Sequence, residues 1–400
     1  MFFDICNMRY YSNNRRSIFT KELSSILRFW EERMIDPKGG FYGRMDGCGK
    51  LVPDAPRGAI LNARILWTFS SAYRICGNES YLKMADRAKE YIFQYFIDRK
   101  EGGVFWSVDS QGSPLDTKKQ FYAIAFIIYG LSEYYRATGD TQALEEAIKL
   151  FHCIEKYSLD SVRGGYIEAL TVDWMAIQDM RLSEKDRNDA KTMNTHLHIL
   201  EAYTGLYRVW KSEELGNALR NIILIFLDRI IGEDGHLQLF FDMDWNSQDS
   251  TRSFGHDIEA SWLLMEASSV LGEPELDKRC TAVCEKLARA AMEGYTKGRG
   301  MAYEFDPLSA HRDDDRHWWV QAETLVGCHN MFRLTGDSFW VSAEEDEWQY
   351  ISANLICPDG EWYWSQRADG SINTDDDRAG FWKCPYHNGR MCMEIIERQK

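Results

Sequence analysis

The 400-residue chain predicts an all-α fold, an (α/α)6 barrel with short β-hairpins and loops on one rim. Three observations carry that reading: a repeated glycine-plus-aromatic motif, helix-like apolar spacing between its copies, and tight turns that join the helical segments in pairs. The motif occurs as Gly39-Gly40-Phe41-Tyr42, Gly102-Gly103-Val104-Phe105, Gly164-Gly165-Tyr166, Gly235-His236-Leu237, Gly300-Met301-Ala302-Tyr303 and Gly360-Glu361-Trp362-Tyr363. The copies lie about 60 to 70 residues apart, a fixed period of the kind that marks a repeat architecture.

Between the motifs, segments at 19–34, 59–76, 80–97, 119–138, 142–157 and 192–211 carry 3.6-residue apolar spacing. Those at 213–230, 256–272, 275–293, 316–335, 339–352 and 387–398 continue the pattern. Ile60, Leu61, Ile65, Leu66 and Phe69 illustrate it, as do Leu197, Leu200, Tyr203, Leu206 and Val209. Cys76-Gly77-Asn78, Thr138-Gly139-Asp140, Leu271-Gly272-Glu273-Pro274 and Thr335-Gly336-Asp337 are the short links of αα-hairpins. With those links at one end, the glycine-aromatic segments all fall on the opposite rim. Residues 1–18 lie outside the pattern and read as an N-terminal extension. Residues 19–400 read as a single catalytic domain, because no linker-like stretch divides them.

Composition removes several classes of partner. A formal charge of −15 argues against nucleic acid and against an anionic membrane, since phosphate binding needs a basic surface. No apolar run approaches the roughly 18 residues that span a bilayer. Met1 to Arg16 contain no apolar core of a secretory signal. The ten cysteines form no CxxC pair, and Cys280 and Cys284 read as buried thiols on one helix face. A reduced, cytoplasmic protein is expected, and a monomer. No G-x-S-x-G elbow, P-loop or G-x-G-x-x-G fingerprint is present, so hydride transfer and nucleotide hydrolysis have no anchor. The 14% aromatic content, with 14 tryptophans, is mostly core but also suits sugar recognition, in which flat rings meet the C–H faces of a pyranose.

Roughly 18 to 34 residues after each motif come Arg64, Tyr122, His198, His256, Trp318/Trp319 and His387, each near the start of an inner helix. In a ring those positions converge at one mouth, where free backbone N–H groups and positive dipole ends favour a developing oxyanion. Three histidines at equivalent places point to proton transfer, because an unperturbed pKa near about 6.5 lets the ring give and take a proton. His196 and His198 diverge by about 200° on a helix, so no shared metal is expected. Asn194 and His198 share a face, as do His256 and Glu259. Glu259 suits a substrate hydroxyl or the support of a nearby histidine. Arg64 stands among apolar residues, either as half of a buried ion pair or as a cation facing a substrate oxygen. Tyr122 is placed to join it. Trp318 and Trp319 split between pocket and core, and Trp382 forms a further wall. Asp313-Asp314-Asp315 and Asp375-Asp376-Asp377 invite a two-carboxylate glycosidase reading, although such runs also make solvated loops.

The strings ILNARILW (Ile60 to Trp67), MNTHLHILEAYT (Met193 to Thr204), GHDIEASWLL (Gly255 to Leu264) and WWVQAE (Trp318 to Glu323) resemble cellobiose 2-epimerases of the N-acylglucosamine 2-epimerase superfamily. The resemblance runs from about residue 20 to the C-terminus and leaves out the first 17 residues or so. It implies an (α/α)6 barrel and cofactor-free, reversible epimerisation at C2 of the reducing-end sugar of β-1,4-linked disaccharides. By motif match His256 and His387 take the acid/base pair. Arg64, Tyr122, Asn194, His198 and Glu259 take the polar shell. Trp319 and Trp382 take the stacking walls, with Trp318 one position away as the other candidate.

Epimerisation would open the ring, remove the proton alpha to the aldehyde and return it to the other face of a cis-enediol intermediate. Arg64, His198 and Asn194 suit the charge that develops on oxygen. The same chemistry would serve a β-1,4-mannobiose 2-epimerase, an aldose–ketose isomerase or an N-acylglucosamine 2-epimerase. A glycoside hydrolase would use the rim carboxylates, and a non-catalytic sugar-binding protein would leave the histidines unexplained.

Overall fold

The computed structural model describes residues 2–398, with side chains from residue 15 onward. Twelve α-helices are present among the described residues. They are α1 Phe2–Arg33, α2 Ala59–Cys76, α3 Glu79–Tyr91, α4 Phe121–Thr138, α5 Thr141–Tyr157 and α6 Met193–Val209, followed by α7 Glu213–Ile225, α8 Phe254–Leu271, α9 Pro274–Ala291, α10 Trp318–Thr335, α11 Ser338–Asn354 and α12 Tyr386–Arg398. Every helical segment expected from the apolar spacing is there. The helix expected from residue 19 starts at Phe2, so the boundary after residue 18 falls inside α1. Arg15, within the expected extension, pairs with Glu344 of α11 at 2.7 Å.

The even-numbered helices pack side by side in a closed ring, with α12 against α2, and the odd-numbered helices sheathe them. The sequence pattern explains the division. In α2 every residue from Ala59 to Ala72 is buried, which suits a helix enclosed on all sides. Outer α5 buries only one face, through Ala143, Ala147, Leu150, Phe151 and Ile154. The turns between inner and outer helices behave as their residues dictate. Gly77, Gly139, Gly272 and Gly336 end their helices in the left-handed conformation. Asn78, Asp140 and Asp337 then cap the helices that follow.

The six glycine-aromatic segments lie at the other end. There, two-residue strands just before five of the inner helices pair with the following rim segment, as Lys119–Gln120 does with Ala169–Leu170 and Lys191–Thr192 with Phe240–Phe241. A bridge from Met45 to Ala379 joins the first segment to the last. Buried polar clamps fix each segment to an inner-helix start. Lys119 reaches Asp98 at 2.6 Å, Lys191 reaches Asp160 at 2.9 Å, and Lys383 reaches Glu361 at 2.8 Å. Arg57 pairs with Asp36, His236 meets Asp257 at 2.7 Å, and Gln321 bonds both backbone groups of Met301. At the far end, five inner helices finish with an arginine in the last turn: Arg74, Arg136, Arg208, Arg333 and Arg398. That placement complements the negative dipole ends.

A clamp that loses its cation leaves a carboxylate buried alone. Lys119→Met is therefore expected to lower stability by about 3–5 kcal/mol, read from the urea midpoint. Adding Asp98→Asn should recover much of the loss. A single variant within about 1 kcal/mol of the parent would show that the clamp is dispensable.

Candidate functional site

A cavity of about 370 Å³ opens on the rim, lined in part by Asn194, His256, Phe240, Tyr303, Arg181 and Thr192. Asn194 stands in the first turn of α6, where its buried Oδ1 has no hydrogen-bond partner among the described residues. His256 stands in the first turn of α8 with its Nδ1 on Ser253 Oγ at 2.7 Å. The preceding Gly255 is required by packing, since a Cβ there would fall 2.7 Å from the Trp319 ring. His256 is thus seated directly against Trp319, ring centroids 4.7 Å apart.

Trp319 also faces His387, at 5.7 Å between rings, and so lies beside both histidines. Its neighbour Trp318 turns into the core, packed on Trp364 at 4.5 Å with its Nε1 buried and unpaired. Trp318 also stands edge-on to His387 at 6.4 Å, so both rings of the pair lie near that histidine and Trp319 alone reaches His256 as well.

A second group joins the first from α2, α4 and α6. Arg64 donates to the Tyr122 hydroxyl at 3.1 Å and to the Trp382 carbonyl at 3.3 Å. Its guanidinium lies 4.3 Å from the centre of the Phe126 ring. Among the described residues no carboxylate lies within ion-pair distance of it, and its hydrogen-bond partners are that hydroxyl and that carbonyl. Burial opposes its charge, while Tyr122, Cys384, Tyr386 and Glu201 offset that and hold it above the usual value. Tyr122 stands edge-on to His198 at 4.9 Å and to Trp382 at 6.0 Å.

Beneath both groups, Arg390 of α12 binds three buried carboxylates. It donates to Glu323 at 2.6 Å and makes closer contacts with Glu201 and Glu259. Glu323 Oε1 also lies 2.7 Å from His387 Nδ1, and its Oε2 accepts from Trp262 Nε1 at 3.1 Å. Glu201 Oε2 lies 3.0 Å from His198 Nδ1, and the Tyr386 hydroxyl donates to Oε1. Burial holds all three carboxyls above the ordinary carboxylate value, and Arg390 offsets that only in part. Ligand atoms of Glu259, Glu323 and His387 lie within 4.8 Å of one another, a spacing that would suit a metal ion. The guanidinium of Arg390 already holds both of these carboxylates.

Burial also sets the histidines. His256 and His198 are pushed down to about 3, and His387 well below its ordinary value. All three rings are neutral near pH 7, and no hydrogen bond engages Nε2 of any of them among the described residues. His196 is different. Its Nε2 accepts from the Tyr166 N–H at 2.9 Å and its Nδ1 donates to the Thr192 carbonyl, so it is structural.

The acidic runs are rim scaffolding. Asp315 accepts from the Ala368 N–H, Asp375 pairs with Arg367, and Asp377 pairs with Arg44. Sequence reasoning missed Glu201, Glu323, Tyr386 and Arg390. A signal was present: each pocket histidine has a charged residue three positions on, as His198–Glu201, His256–Glu259 and His387–Arg390. That spacing puts each pair on one helix face.

Comparison with known proteins agrees with this geometry. The family model of N-acylglucosamine 2-epimerase (GlcNAc 2-epimerase) matches residues 40–389. A cellobiose 2-epimerase of Bacteroides fragilis is 57% identical over 380 residues, covering 94% of this chain and 97% of the relative. One from Ruminococcus albus is 39% identical, covering 93% and 96%. The solved cellobiose 2-epimerase of Bacillus thermoamylovorans superposes with a TM-score of 0.92 at 39% identity, covering 96% of this chain and all of that one. The chain, with its (α/α)6 barrel, belongs to the N-acylglucosamine 2-epimerase family.

Proposed function

We propose that the protein catalyses reversible C2 epimerisation of the reducing-end sugar of β-1,4-linked disaccharides, turning cellobiose into 4-O-β-glucosyl-mannose. The names of the relatives support cellobiose as the substrate. The observation that carries the chemistry is two neutral histidines, His256 and His387, on either side of Trp319 and near a buried cation that lacks a carboxylate. A neutral imidazole with a free Nε2 is a competent base. One ring removes the C2 proton of the open-chain aldose, and the other supplies a proton to the opposite face of the enediol. His198, Arg64 and Asn194 stabilise the oxygens on which charge develops. Trp319 and Trp382 hold the sugar, Tyr122 orients Arg64, and Glu259 has one oxygen left for a substrate hydroxyl.

This reading takes residues 19–400 as the catalytic unit, working as a monomer without a cofactor in the cytoplasm. The buried thiols of Cys280, Cys284, Cys328, Cys357, Cys384 and Cys392 fit a reducing compartment.

Proton NMR of cellobiose in D₂O with EDTA tests the whole reading. Loss of the C2 proton together with a mannose-type reducing-end signal is the expected result. Free glucose would indicate a hydrolase, and a ketose signal would indicate an isomerase. His256→Ala and His387→Ala should each lower turnover by at least about 10²-fold with the fold intact. Near-parental turnover in either would remove that histidine from the mechanism.

Because burial holds both rings neutral, the acid limb of kcat/KM should fall below the ordinary histidine value of about 6.5. A limb at or above that value would mean that the rings are not desolvated in the free enzyme. Arg64→Met should cost about 10²–10³ in kcat while leaving Tm unchanged or raised, because it removes a buried cation without an ion-pair partner. A large drop in Tm would show instead that Arg64 is a structural residue.

A further inference from the structure

The carboxylates beneath the histidines share one cation. Arg390 is fully buried, with its guanidinium carbon 4.4 Å from the centre of the Tyr386 ring and 4.8 Å from that of Trp262. One of its terminal nitrogens serves Glu201 and the Tyr386 hydroxyl, and the other serves Glu259 and Glu323. Glu323 receives N–H groups from Arg390 and Trp262, one on each oxygen, and its Oε1 lies 2.7 Å from His387 Nδ1, an arrangement that suits an ionised carboxylate. An ionised carboxylate only accepts, so His387 must carry its proton on Nδ1. Glu201 makes the same demand on His198.

We propose that Arg390 is a positioning residue that, through Glu323 and Glu201, fixes His387 and His198 as Nδ1–H tautomers with Nε2 open to substrate. The inference rests on the assignment of His387 as a proton-transfer group. Arg390 favours the ionised form of the carboxyls against the upward push of burial, and its planar fork fixes where each one points. An ammonium group keeps the charge but not the fork. The imidazole of His387 is faced by Glu323 of α10, Glu259 of α8, Arg64 of α2 and His198 of α6, besides Arg390 on its own helix. Of these, Glu323 alone touches its Nδ1.

The test uses Arg390→Lys and Glu323→Gln in the full chain. It reads kcat and KM separately, the pH profile, Tm, and the tautomer of His387 by ¹⁵N–¹H correlation, assigned against the spectrum of His387→Gln. A misplaced tautomer in a carboxylate–histidine pair costs up to about 10⁴-fold. Arg390→Lys is expected to lose at least about 10²-fold in kcat with a smaller change in KM. In the same variant the Nδ1–H signature of His387 should give way to a mixture of tautomers. Glu323→Gln should lower kcat and move the acid limb to lower pH, because a negative charge beside the ring is lost. It carries the test if the lysine variant does not fold.

An Arg390→Lys enzyme that folds and stays within about twofold of the parental kcat would overturn the proposal. So would a loss of kcat with an unchanged tautomer signature, which would mark Arg390 as merely structural. Continued C2 exchange in His387→Gln would instead sink the underlying assignment of His387.

Discussion

The site depends on one buried cation. Arg390 stands where the inner helices converge, and each of its three carboxylate partners comes from a different helix, α6, α8 and α10. Three carboxyls at this depth would be costly to ionise without a partner, and removing one member of such a group leaves a charge unpaired. The arrangement therefore ties four helices together around His198 and His387. It also makes each carboxylate a fixed acceptor, which determines which nitrogen of His198 and His387 carries the proton.

Above this base the histidines and Arg64 play opposite electrostatic parts. Desolvation keeps the imidazoles neutral, ready to accept a proton. Arg64 is equally buried but stays charged, stacked on Phe126 and Tyr386 with only a hydroxyl and a carbonyl as hydrogen-bond partners. The proposed enediolate oxygen would give this buried charge its counterpart. The two histidines proposed for proton transfer are not equivalent. His387 has a carboxylate behind it, whereas His256 has the hydroxyl of Ser253, which can give or take a proton.

The rim holds its loops by a repeated device. Glycine turns bring each segment back on itself, and a buried lysine, arginine, histidine or glutamine ties it to the start of an inner helix. Asn194, His256 and His387 stand in the first helical turns just beyond those ties. A loop-rich mouth can thus present side chains with helix-like precision, which a proton transfer requires.

The sequence by itself determined the architecture and much of the site. Repeat spacing, apolar periodicity and glycine-terminated helices are local properties, and all twelve helices follow from them. The same period singled out Arg64, Tyr122, His198, His256 and His387, all near the starts of inner helices. Tertiary structure alone decided the pairings between helices. Trp318 and Trp319 are adjacent in sequence, and only the packing of Trp364 and Gly255 sends one to the core and the other to the histidines. Glu201, Glu323 and Arg390 looked like ordinary charges on helices, since partners 67 and 189 residues apart leave no local trace. Periodicity fixes which face of a helix turns inward. Which side chain it meets there depends on the closure of the ring.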